Sequence, residues 1–245
     1  DSFAMGVGAD KPLVIGATDD EFSMIFFENA KKMRWVPKRF MLRKLGMPKE
    51  AMKPYLEANR DVAARGTARI GGRFLTDLMF RKSLLETVCY RGDASTWVYR
   101  FSGPSGVFGF AEHCIDVPFF FDCIDSPVAM EPLTGPNPPQ SLADEVHGAA
   151  VAFIATGAPG WPVYTEATKQ TRVYDTPSRI VSDGYKSVRP LLEIFGSRLG
   201  ASASRRHHHR TGISPAPTLS SRRRSHLPTP HPRTRAHRSC LGESG

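Results

Sequence analysis

No apolar run in this 245-residue chain approaches the roughly 18–20 residues that a membrane-spanning helix needs, so no membrane partner is expected. The opening, "DSFAMGVGADKPLVIGAT", lacks the positive segment and following apolar stretch of a secretory signal, and a cytoplasmic location is the expectation. The chain opens on Asp1 rather than Met, which points to a start further upstream. Cysteine is sparse. Cys89, Cys114, Cys123 and Cys240 form no C-x-x-C pair and match no zinc spacing. No metal is therefore expected and free thiols are the default, with a Cys114–Cys123 bridge as the alternative.

Basic excess is also missing where a nucleic-acid binder would need it. The formal charge is +9, but Ser197–Gly245 alone holds ten Arg, no Lys and a single acid, Glu243. Residues 1–196 hold 23 basic and 23 acidic residues and are neutral, so the body has no electrostatic footprint for a phosphate backbone. The tail contains no Phe, Trp or Tyr, and cannot bury enough apolar surface to offset its ordering entropy. Two units follow: a folded domain over 1–196 and a disordered tail over 197–245 rich in Arg, Pro, Ser and His. The tail's composition fits a terminal extension or an out-of-frame reading, and "RRHHHR" and "SRRRSH" are at most weak metal or nucleic-acid sites.

The body reads as mixed α/β. "KPLVIGAT" (Lys11–Thr18) is a short apolar run closed by a turn, a buried strand. Phe22, Ile25, Phe26, Ala30 and Met33 then recur at helical spacing, with Asp19 or Asp20 as N-cap. Residues 37–90 read as several helices punctuated by Pro37, Pro48 and Pro54. The longest, Gly72–Tyr90, is expected to bury Leu75, Leu78, Met79 and Leu85. "STWVYRFSG" (Ser95–Gly103) reads as a second strand. Ser141–Gly157 is a helix with a Ser141/Asp144 capping box, a face of Leu142, Val146, Ala150, Phe153 and Ile154, and a Gly157 stop. "SDGYKSVRPLLEIFG" closes the fold with a short helix.

Each strand delivers one titratable side chain to its carboxyl-terminal junction: Glu21 after the first, His113 after the second. Ligands and catalytic groups gather at such strand ends in parallel sheets. A carboxylate on one imidazole nitrogen fixes the tautomer and leaves the other nitrogen to take a proton from a hydroxyl. Each residue also has a structural reading: Glu21 as a charge complementing a helix dipole, His113 as a core histidine. Asp116, three residues after His113, is a supporting partner or a solvated acid. His147, mid-helix, is a surface or packing residue.

Taken together, "PLVIGATDDEF", "TWVYRFSG", "GFAEHCIDVPFFFD" and "HGAAVAFIATGAPGWPVY" resemble, in that order, segments of the type-B (cholinesterase-like) carboxylesterases. The likeness covers about Gly6 to Phe195. It implies the C-terminal part of an α/β-hydrolase, with a few strands plus cap and flanking helices. It also implies Glu21 as triad acid, His113 as triad base, a small carboxylic ester as substrate and no cofactor. Two positions depart from the family pattern: Phe22 stands where Gly is frequent, and Cys114 where a small residue is common. A larger departure is that no G-x-S-x-G occurs. "SGPSGV" puts Val107 where the second Gly belongs and places Ser105 between acid and base, so this chain carries no nucleophile and should be inactive alone. The alternatives are a non-catalytic interaction module of the same family and a nucleic-acid binder acting through the tail.

Overall fold

The computed structural model describes residues 2–3 and 5–194. The tail assignment for 197–245 lies outside them. Strand β1 (Leu13–Thr18) leads through a tight turn and a 3₁₀ segment, Ser23–Phe26, into helix α1 (Ala30–Met33). Helices α2 (Lys38–Lys44), α3 (Lys49–Ala58), α4 (Arg60–Ala64) and α5 (Thr67–Thr76) follow. One π-helical turn, Asp77–Arg81, joins α5 to α6 (Lys82–Arg91). Beyond β2 (Thr96–Phe101) come α7 (Asp116–Phe120), α8 (Pro127–Ala129) and α9 (Gln140–Thr156). Strands β3 (Gln170–Tyr174) and β4 (Arg179–Ser182) complete the sheet, and residues 189–194 are helical.

The sheet order is β1-β2-β3-β4, with the first three strands parallel and β4 antiparallel to β3. Parallel neighbours need long crossovers, and the helices of residues 19–95 provide the first. Strand β2 shows why the sheet is covered on both faces: Trp97 and Phe101 enter a core with Ile115, Phe119, Leu142 and Val146, while Val98 enters another with Leu84, Leu85, Tyr185 and Val188. Alternate side chains of a strand point to opposite faces. A third core, around Leu42, Tyr55, Ile70, Phe74 and Leu191, holds the helices of residues 38–76.

Gly16 of β1 has a specific cause. A Cβ there would lie 2.4 Å from the Tyr99 ring, which crosses the strand at that point. The Tyr185 hydroxyl sits between β1 and β2, accepting from the Ala17 amide at 3.1 Å and donating to the Tyr99 carbonyl oxygen at 2.6 Å.

Five expectations need correction. The helix over Phe22–Met33 is a 3₁₀ segment and one short helix, because neither Asp19 nor Asp20 caps it; both carboxylates are drawn to arginines instead. The Gly72–Tyr90 helix changes phase at the π-turn, which leaves Met79 55% exposed and buries Asp77 and Arg81. Pro54 lies inside α3 rather than at its end. The Ser141/Asp144 capping box is not formed: α9 starts after Pro139 with no side-chain cap, Asp144 accepts from Gln140, and Ile154 is exposed. Gly157 does end that helix in the left-handed conformation (φ 78°). Cys114 and Cys123 are free and exposed, whereas Cys89 is disulfide-bonded, against the default of free thiols.

Candidate active site

The first turn of the site is built by β1 itself. Where the strand ends, the Thr18 amide donates to Glu21 Oε1 at 2.9 Å and folds the acid back over the strand terminus. The Asp19 amide donates to the Phe101 carbonyl oxygen and the Asp20 amide to that of Ala111, fixing the turn against both the end of β2 and the segment that carries His113. Glu21 is 5% exposed. Its second oxygen, Oε2, lies 2.6 Å from His113 Nδ1. An ionised carboxylate can only accept, so Nδ1 carries the proton, and in the neutral ring it is Nε2 that presents the lone pair. Among the described residues Nε2 has no hydrogen-bond partner, and the His113 side chain is 44% exposed.

The two neighbouring aspartates have other work. Asp19 accepts from Ser102 Oγ at 2.9 Å and pairs with Arg100 at 3.1 Å. Burial alone would raise its carboxyl, but Arg73, Arg100 and Arg81 outweigh burial and hold it below the ordinary carboxylate value. Asp20 accepts from Ser23 Oγ at 2.9 Å and pairs with Arg69 at 2.8 Å and Arg73 at 3.4 Å. Of three consecutive acids, only Glu21 is directed to the histidine.

Asp116 opens α7 and accepts from the Tyr99 hydroxyl at 3.0 Å. It is half-buried and is not bonded to His113. Burial pushes its carboxyl up, the Tyr99 bond and His113 act in the opposite sense, and Glu21 adds to the rise. Its link to the Glu21–His113 pair is therefore electrostatic. His147 bonds the Phe120 carbonyl oxygen through Nδ1 at 2.9 Å, a packing role. Ser105 is committed elsewhere: its hydroxyl donates to the Leu133 carbonyl oxygen and accepts from the amides of Val107 and Phe108. Sequence reasoning passed over Glu112, which is 1% exposed with both carboxylate oxygens unpartnered. Its apolar neighbours in "GFAE" were the available signal.

A mixed, mostly parallel sheet between helices, with an acid after one strand and a histidine after the next, is part of an α/β-hydrolase fold. No protein-family model matches the chain. It is similar to the para-nitrobenzyl esterase of Bacillus subtilis (strain 168), at 26% identity over 191 residues, 74% of this chain and 38% of that protein. It superposes on the carboxylesterase EST55 of Geobacillus stearothermophilus with a TM-score of 0.62 at 25% identity, over 77% of this chain and 41% of that one. The juvenile hormone esterase of Manduca sexta shares the fold, with a TM-score of 0.51 at 20% identity, over 79% of this chain and 42% of that one. Over the part it spans, the chain resembles the type-B carboxylesterases in sequence as in fold. That part is 38% of the length of the curated relative. No helix among the described residues is long and apolar enough to cross a membrane.

Proposed function

We propose that this chain contributes the acid and base of a serine carboxylic ester hydrolase. One observation carries the reading: Glu21 and His113, 92 residues apart, meet at 2.6 Å at the ends of adjacent parallel strands. In the reaction His113 Nε2 takes the proton of an attacking serine hydroxyl and later returns it to the leaving alcohol. Glu21 holds the tautomer and stabilises the imidazolium between those steps. The substrate class is a small carboxylic ester, in keeping with the para-nitrobenzyl esterase likeness.

Ser105 does not suit the nucleophile's role, because its hydroxyl is occupied by Leu133. The serine and the amides that stabilise the oxyanion are proposed to come from sequence outside these 245 residues, and the chain alone is proposed to be inactive. A serine-directed fluorophosphonate probe should leave the isolated chain unlabelled. Stoichiometric labelling would overturn the assignment of the serine elsewhere. Joined to a segment that supplies a G-x-S-x-G, the protein should hydrolyse para-nitrophenyl esters, and His113→Ala should lower kcat on the order of 10³-fold or more. Activity indifferent to His113→Ala would sink the hydrolase reading.

A further inference from the structure

A single hydrogen bond at Nδ1 fixes a point on the His113 imidazole but not its plane, and the side chain is 44% exposed. Two aromatic rings flank it. Phe80 lies 5.8 Å from the imidazole, centroid to centroid, at an interplanar angle of 46°, and Phe22 lies 6.4 Å away at 32°. The phenyl rings also meet each other edge-on at 5.2 Å. The three rings close a triangle, within the separations at which aromatic contacts are attractive.

Neither phenyl ring is free to drift. Phe22 follows the acid directly, and its amide donates to Thr76 Oγ1 at 3.1 Å, tying it to the end of α5. Phe80 sits within the π-turn, between Asp77 and Arg81, which are fully buried and paired at 2.8 Å. Single π-turns inside α-helices recur at functional sites because they redirect a side chain. Here the turn delivers Phe80 beside His113.

We propose that Phe22 and Phe80 are positioning residues that clamp the His113 imidazole, fixing its ring plane and sheltering its Nδ1–H bond to Glu21 from water. The consequence for ester hydrolysis rests on the function proposed above, but the clamp does not, and it can be read in the isolated chain without turnover. The Nδ1 proton should give a resolved downfield NMR resonance in slow exchange with water. Phe80→Leu keeps bulk and removes the ring. It should speed that exchange about fivefold, the size of one aromatic contact, and shift the carbon-bound ring protons of His113. Phe80→Tyr should restore both signals. If Phe80→Leu fails to fold, Phe22→Leu provides the same comparison from the other side of the triangle. Loss of thermal stability in the foldable Leu variant with His113 exchange and shifts unchanged would overturn the proposal, reducing the rings to packing.

Discussion

Glu112, one residue before His113, is sealed from solvent with neither carboxylate oxygen hydrogen-bonded. Burial pushes its carboxyl from 4.5 up to about 7. The folded chain therefore keeps a proton that the unfolded chain releases at lower pH. The stabilisation is complete below about pH 4.5 and is lost as pH rises through about 7. Glu112→Gln should remove this component, so urea melts at pH 5 and pH 8 should show the variant gaining on the parent by about 1–3 kcal/mol at the higher pH. An equal gap at both pH values would refute the assignment. At this scale the sequence was informative where chemistry and position coincided. Glu21 and His113 stood out because each ends a strand pattern. Glu112 did not, because its distinguishing property is the absence of a partner, and that exists only in three dimensions.

Among the elements, the π-turn departs furthest from the sequence reading. The expected stripe of Leu75, Leu78, Met79 and Leu85 assumed an uninterrupted 3.6-residue period. The turn resets the phase and places Asp77 and Arg81 inside instead. Asp77 then accepts from Tyr55 at 2.6 Å, and Arg81 stacks 5.0 Å over the Tyr185 ring. Burying an ion pair is tolerated when every partner is present, and removing one member strands the other. Arg81→Met should cost about 3–5 kcal/mol in chemical denaturation, and Asp77→Asn in the same background should recover part of it. A loss under 1 kcal/mol would mean that Asp77 finds another cation, with Arg73 the candidate. Strands β3 and β4 went unread for a related reason. "QTRVY" and "RIVS" are short and interrupted by arginine, and their identity comes from registration against β2 and each other (Val98↔Thr171, Arg172↔Ile180).

For the molecule as a whole, order carried more information than any single motif. An acid after one strand and a histidine after the next left structural readings open; the resemblance of four segments, in order, to the type-B carboxylesterases indicated a hydrolase sheet, and the structural likeness to EST55 supports that architecture. Pocket shape was not legible, since it depends on how the helices of residues 38–76 pack around their own core. The Tyr185 hydroxyl between β1 and β2 has a temporal consequence. Its partner Ala17 is 168 residues earlier in the chain. At the roughly 5–20 residues per second of protein synthesis, that hydroxyl emerges on the order of ten seconds or more after β1. The strand that leads into Glu21 thus waits, half-stitched, for one of the last described residues, and ribosome-bound chains stalled before Tyr185 has left the exit tunnel should expose β1 to proteases that chains stalled after it has emerged resist.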